Sequence, residues 1–138
     1  MKLHHSAYKI AIGYSQLIQE FCEFMGAQLV WEGHDQGREI AMLFDNRYRI
    51  QFSEIDERPA VSKNKPETHL AFLSIRPQHD IEILDTWFSK KHVKTRRGKW
   101  SDREHWIDCP DIFNDFVIEV FNTKISQHLP SPSAKART

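Results

Sequence analysis

Apolar and polar residues alternate with period two along residues 3–11, so that His5, Ala7 and Lys9 share one face and Ser6, Tyr8 and Ile10 the other. This pattern predicts a strand whose first face, mixed and polar, suits the lining of a cavity. Over residues 15–25 the period changes: Leu17, Ile18, Phe21, Cys22, Phe24 and Met25 recur at helical spacing, Ser15 stands where it caps the start, and Gly26 ends the run. A short strand is expected at AQLVWE, a turn at GHDQG and a strand at REIAMLFD. Asp45 and Asn46 then make a tight hairpin turn into a further strand, YRIQFSEI. The order is βαβββ.

Residues 57–67 (ERPAVSKNKPE) hold two prolines, several charges and little apolar content, which predicts a linker. The pattern then restarts. Residues 69–75 form a strand, and Ile81, Ile83, Leu84, Trp87 and Phe88 mark a helix over residues 80–91. His92 to Lys94 begin a strand, EHWIDCP forms another, and FVIEVF the last. The expected organisation is one domain, residues 1–126, made of module one (3–56), the linker (57–67) and module two (68–126). The tail at 127–138, rich in Ser, Pro, Lys and Ala, is expected to be flexible.

The two modules repeat one polar plan. Each has a His near its opening strand and a Gln or Glu near its closing strand, with His5 and Gln51 46 residues apart and His69 and Glu119 50 apart. On the fourth strand Arg49, Gln51 and Ser53 share a face opposite Ile50 and Phe52, which the helix covers. On the last strand Val117, Glu119 and Phe121 point one way and Ile118 and Val120 the other. Glu119 thus enters a largely apolar wall, where a carboxylate needs a partner. A bound cation meets that need, and so does a charge pair with Arg49.

Composition narrows the classes. Nineteen Lys plus Arg balance nineteen Asp plus Glu at a sequence pI near 7.1, which gives no overall field for nucleic acid or an anionic membrane. Two cysteines, Cys22 and Cys109, make neither a disulfide framework nor a thiolate metal site, and suit a reducing cytoplasm. The first residues lack the apolar core of a signal peptide, and no stretch approaches the ~20 apolar residues that span a bilayer. A 138-residue chain buries a core without a structural metal, so any ion here is expected to be functional. No Gly-x-Ser-x-Gly, phosphate-binding loop or dinucleotide fingerprint occurs.

HHSA at the first strand, FCEFMGAQLVWE at the first helix end, THLAF at the fifth strand, and CPD followed by VIEVF at the close stand in the order and spacing of a known family. Over roughly residues 3–121 the chain resembles the vicinal oxygen chelate superfamily of glyoxalases, extradiol dioxygenases, fosfomycin-modifying enzymes and bleomycin-binding proteins. The resemblance implies an α+β fold in which two tandem βαβββ modules form a curved, partly open mixed β-sheet barrel with helices outside. It places metal ligands on the first, fourth, fifth and eighth strands, here His5, Gln51, His69 and Glu119. His4 competes with His5, which is preferred because a small residue and then Ala follow it. Gln51, a neutral amide, alternatively hydrogen-bonds the substrate or a metal-bound water. Two imidazoles, a carboxylate and an amide oxygen suit a divalent zinc, iron, nickel, cobalt or manganese ion.

The function this implies is a metal-dependent enzyme of lyase, isomerase, thiol transferase or dioxygenase type. The ion would act as a Lewis acid on a substrate chelating through two oxygens, with Glu119 as the catalytic base and Arg49 and Gln51 contacting substrate. A homodimer is expected on the same resemblance. The alternative is a metal-free sequestering protein of the bleomycin-resistance type. One departure from the family is the close: Cys109, Pro110 and Asp111 lead into Ile, Phe, Asn and Asp where many members have a short Asp-Pro-Asp-Gly turn.

Two features stay open in the sequence. Lys90, Lys91, Lys94, Arg96, Arg97, Lys99 and Arg103 surround Gly98 and Trp100, and read first as a solvated loop and helix end, otherwise as an anion-collecting rim. Either Trp106 or His105 faces the cavity, while Trp87 belongs to a helix's apolar stripe.

Overall fold

The structure, a computed structural model, describes residues 1–122, so residues 123–126 of module two and the expected tail at 127–138 lie outside the described residues. The elements run β1 (Ser6–Ala11), α1 (Ser15–Phe24), β2 (Gln28–Gly33), β3 (Glu39–Phe44), β4 (Tyr48–Ile55), a 3-10 turn (Lys65–Glu67), β5 (His69–Ser74), α2 (Pro77–Lys90), β6 (Arg96–Ser101), β7 (Glu104–Asp108) and β8 (Val117–Asn122). The chain divides into two compact units, residues 1–60 with 111–115, and residues 61–110 with the chain from Phe116.

Each unit carries an open four-stranded mixed sheet, ordered β1-β4-β3-β2 in the first and β5-β8-β7-β6 in the second. The outer pairs β1/β4 and β5/β8 are parallel and the rest antiparallel. In the first unit Ile18, Phe21 and Cys22 of α1 pack on the sheet face bearing Ile10, Ile40, Met42, Ile50 and Phe52, all buried. In the second, Ile81, Leu84 and Phe88 of α2 cover Ile107, Ile118 and Val120. Period-two alternation turns Gln51 in the first sheet and Glu119 in the second, with their row neighbours, to the face away from the helix. The βαβββ order is therefore the observed one, twice.

Local chemistry explains the joints. Asp45 and Asn46 both take φ of 53°, the mirror-image turn that matches the twist of the β3/β4 hairpin. Gly26, at φ 93°, ends α1 and donates its N–H to the Glu23 carbonyl. At the start of α1, Tyr14 holds the cap position and Ser15 is the first helical residue. The capping acceptor comes from β4: the Glu54 carboxylate accepts both the Ser15 backbone N–H, at 3.1 Å, and its hydroxyl. Burial raises the Glu54 carboxyl, but bonds from the Ser15 side chain and the Gly13, Ser15 and Arg38 backbone outweigh it and hold the group below its ordinary value.

Several expectations need correction. β1 begins at Ser6, so His5 stands just before the strand. α2 begins at Pro77, whose fixed φ suits the first turn, three residues before the expected start. His92 lies in a turn at φ 60°, and the strand runs instead over RRGKWS, the segment that had read as a charged loop. β6 is an edge strand, exposed over most of its length, so no apolar alternation announces it. The expected linker ends in the 3-10 turn, where Lys65 and Pro66 are buried. The long loop after Cys109 buries Ile112 and Phe113 and extends the free edge of β1, since Ala11 donates to the Ile112 carbonyl at 2.9 Å and Asn114 to the Lys9 carbonyl at 3.1 Å.

Candidate functional site

On the second sheet the face turned away from α2 carries a row across four strands: Ala71 beside Glu119, Glu119 beside Trp106, Trp106 beside Gly98. Two residues before Ala71, at the start of β5, His69 shares this face. Its Nε2 lies 2.9 Å from Glu119 Oε2, and the Glu119 side chain is fully buried while His69 is about a fifth exposed, 22%. The other ring nitrogen of His69, Nδ1, is 2.9 Å from the Pro66 carbonyl oxygen. A carbonyl only accepts, so Nδ1 carries the hydrogen and Nε2 faces the carboxylate. An imidazole nitrogen and a carboxyl oxygen that close, out of water, need a proton or a cation between them: a proton carried by either group, or a metal ion.

The donor pair fits an ion. Ligands at bonds of roughly 2.0–2.2 Å and a right angle stand about 3 Å apart, and a ligating His characteristically donates its second ring N–H to a carbonyl. The pair supplies two donors. Within either unit, among the described residues, no three His, Cys, Asp or Glu side chains group closely enough to hold an ion.

The first unit repeats the register. Ala7 lies beside Gln51, Gln51 beside Ala41, and Ala41 beside Trp31, so Gln51 occupies the position of Glu119, and His5, two residues before Ala7, the position of His69. Here the contacts lead elsewhere. His5 is exposed, with its Nδ1 2.9 Å from Nδ1 of His4, and the half-buried Gln51 donates its amide to Glu39 Oε2 at 3.4 Å. The amide oxygen of Gln51 is thereby turned away from Glu39. Arg49, half-buried, stands one row along on the same face, opposite Leu43. Thus the structure brings His69 and Glu119 into contact and leaves His5, Gln51 and Arg49 as separate members of the matching face.

Sequence reasoning missed a charged cluster beside the His69/Glu119 pair. Lys65 Nζ lies 2.9 Å from Asp108 Oδ1, and both side chains are essentially inaccessible, at 0% and 1%. The angles are those of an ion pair and not of a directed hydrogen bond. Arg96 Nε meets the other oxygen, Oδ2, at 2.8 Å and sets its guanidinium 5.3 Å from the Trp106 ring centre. Period two from Trp106 places Asp108 and Glu104 on the Glu119 face and would have marked both. Nothing in the sequence around Lys65 announces its burial.

The open alternatives resolve here. Trp106 shares the Glu119 face and His105 the α2 face. Of the basic cluster, Lys90 and Lys91 close α2, while Arg97 and Lys99 lie on β6 and meet carboxylates, Arg97 with Asp85 at 3.3 Å and Lys99 with Asp102 at 2.9 Å. Burial pushes the Cys22 thiol far above its ordinary value, with Glu23 adding to the effect, which removes it as a nucleophile. Among the described residues no helix is long and apolar enough to cross a membrane.

Solved structures carry the same architecture. FosX from Listeria monocytogenes, as a variant complexed with Mn(II) and 1S,2S-dihydroxypropylphosphonic acid, superposes with a TM-score of 0.60 at 14% identity, covering 93% of this chain and 97% of that one. FosX from Mesorhizobium loti gives 0.59 at 13% identity, with 93% and 97% covered. The fold is that of the vicinal oxygen chelate superfamily. A glyoxalase family protein from Enterococcus faecalis shares this vicinal oxygen chelate fold, with a TM-score of 0.52 and 19% identity over 87% of this chain and 96% of its own. No family model and no curated protein sequence matches the chain.

Proposed function

We propose that this chain is a metal-dependent enzyme whose small substrate chelates a divalent ion through two oxygens. The observation that carries the reading is the buried Glu119 carboxylate 2.9 Å from a His69 ring whose other nitrogen is committed to the Pro66 carbonyl. His69 and Glu119 are two ligands, and His5 and Gln51, their counterparts in the repeated register, supply the remaining bonds. The likeness to FosX, solved with Mn(II) and a phosphonate, supports a divalent ion and an anionic small molecule, with Arg49 as a substrate contact. Both cysteines are buried thiols, which suits a cytoplasmic enzyme, and the fold's habit of pairing supports a homodimer.

When bound, the ion polarises the chelated oxygens as a Lewis acid and stabilises the charge that develops on them. The chain's own groups do the rest. Pro66 holds His69 in one orientation, Trp106 walls the side of Glu119 toward β6, and the Glu119 carboxylate takes the proton that leaves the substrate. The fold serves isomerisation, nucleophile addition and oxygen insertion, and product analysis on a panel of chelating substrates decides among them.

Equilibrium dialysis against Mn(II) and Zn(II) with elemental analysis tests the reading. The parent is expected to keep an ion that His69→Ala and Glu119→Gln lose, with His5→Ala weaker than the parent. A folded parent that retains no ion ends the metal reading. Ligand binding indifferent to chelator would put the sequestering alternative in its place.

A further inference from the structure

We infer that Lys65 is a positioning residue for His69, acting through the turn that both share. The 3-10 turn Lys65–Glu67 is closed by backbone bonds from Lys65 to the Ser62 carbonyl, Glu67 to the Asn64 carbonyl and Thr68 to the Lys65 carbonyl, at 2.9–3.1 Å. Its middle residue, Pro66, supplies the carbonyl that receives Nδ1–H of His69. A proline has no N–H to join a ladder, and three residues of 3-10 turn are weak on their own. Its exit is tied to β8, where Val117 donates its N–H to the Thr68 carbonyl at 3.0 Å, and its entry is tied to the sheet by its first side chain. Lys65 runs fully buried to Asp108 of β7, and Asp108 is itself held by Arg96 of β6.

A buried ammonium persists only where a carboxylate meets it, so the ion pair sets the depth and the rotation of the turn. Those two quantities place the Pro66 carbonyl, and the carbonyl decides that Nε2, not Nδ1, is offered toward Glu119. Lys65 thus reaches the imidazole without touching it. Its effect on ring orientation stands on geometry alone, while its effect on an ion rests on the reading of His69 as a ligand.

The experiment follows the His69 Nδ1–H proton by nitrogen-15 NMR of the full chain, metal-free, alongside Mn(II) titration. In the parent this proton is expected to be protected from exchange by the Pro66 carbonyl, in either charge state of the ring. Lys65→Met keeps Asp108 paired with Arg96. It is expected to fold, to lose that protection and to bind Mn(II) roughly ten- to a hundred-fold more weakly, the range found when an outer partner of a ligating His is disturbed. Glu67→Ala, exposed in the same turn, is expected to change neither. If Lys65→Met does not fold, the double variant Lys65→Met/Asp108→Asn removes both charges and is read the same way. A folded variant that keeps the protected proton overturns the inference, even if the parent binds Mn(II). A parent that binds no Mn(II) overturns the metal reading instead, and leaves the NMR result standing.

Discussion

The two units share one register and fill it in opposite ways. Across the first sheet the central row reads Ala7, Gln51, Ala41, Trp31, and across the second it reads Ala71, Glu119, Trp106, Gly98. The large and small members have changed places between the inner strand and the edge strand beside it. In the second unit the indole lies directly beside the acidic residue and is covered by a guanidinium, and in the first it stands one strand further out, about half exposed at 45%. The next row differs more sharply, with Leu43 in β3 where β7 has Asp108. One copy of a repeated plan has therefore become a closed charged face, and the other has stayed a polar, accessible one. A buried charge is tolerated only when its partner is buried with it, so the second unit had to acquire Lys65, Asp108 and Arg96 as a set.

The largest effect expected from breaking this contrast is at the paired positions Asp108 and Leu43. Asp108→Ala strands the Lys65 ammonium out of water, and should destabilise the protein by about 3–5 kcal/mol. Leu43→Ala, at a half-buried site, should cost about 1–2 kcal/mol in lost apolar contact. Lys65→Met should fall below Asp108→Ala, because Asp108 keeps Arg96. Urea denaturation of the three variants checks the order, and equal costs at Asp108 and Leu43 would erase the distinction between the faces.

Smaller is the effect at the two glycines under the tryptophans, Gly98 on the row of the site itself and Gly33 two residues along β2 from Trp31. A methyl group on Gly33 would meet Trp31 Cη2 at 2.5 Å, and one on Gly98 would run into the indole of Trp106, reaching Nε1 at 2.8 Å. Trp31 is exposed and free to swing aside. Trp106 is held under Arg96, which Asp108 in turn holds. Gly98→Ala is expected to cost about 1–3 kcal/mol as overpacking, and Gly33→Ala well under about 1 kcal/mol. Thermal melts decide it, and near-Ultraviolet circular dichroism should change for the Gly98 variant.

This contrast also marks where the sequence was readable. Seven of the eight strands and both helices were placed by the sequence reading, most of them because one face lies against a core: Ile40, Met42, Phe44 in β3, or Ile81, Leu84, Phe88 in α2. Strand β6 escaped because an edge strand with polar residues on both faces carries no alternation, and the 3-10 turn because a lysine at 4% exposure is spelled like any solvated lysine. His69 and Glu119 were legible as a spaced pair repeated from His5 and Gln51. The tie to Pro66, and the ion pair behind it, depends on where a turn docks, which no period encodes.

The two helices differ as the sheets do, and this gives the mildest test. α2 starts with its own neighbours, as the Ser74 hydroxyl donates to Asp80 at 2.5 Å and accepts the Arg76 N–H at 2.9 Å. α1 borrows Glu54 from β4, so its start depends on a carboxylate staying charged. Glu54→Gln should cost about 1 kcal/mol or less at neutral pH, in the range of a helix cap with a terminal dipole contribution. The Glu54 carboxyl is held below its ordinary value in the folded state, so its contribution is full above the unfolded-state value and declines as pH falls through the lower folded one. The difference in stability between parent and variant should accordingly shrink in acid and be flat from mild acid to neutrality. A gap that widened on acidification would mean that the carboxyl is protonated more readily in the fold than out of it, and that the start of α1 rests on something other than Glu54.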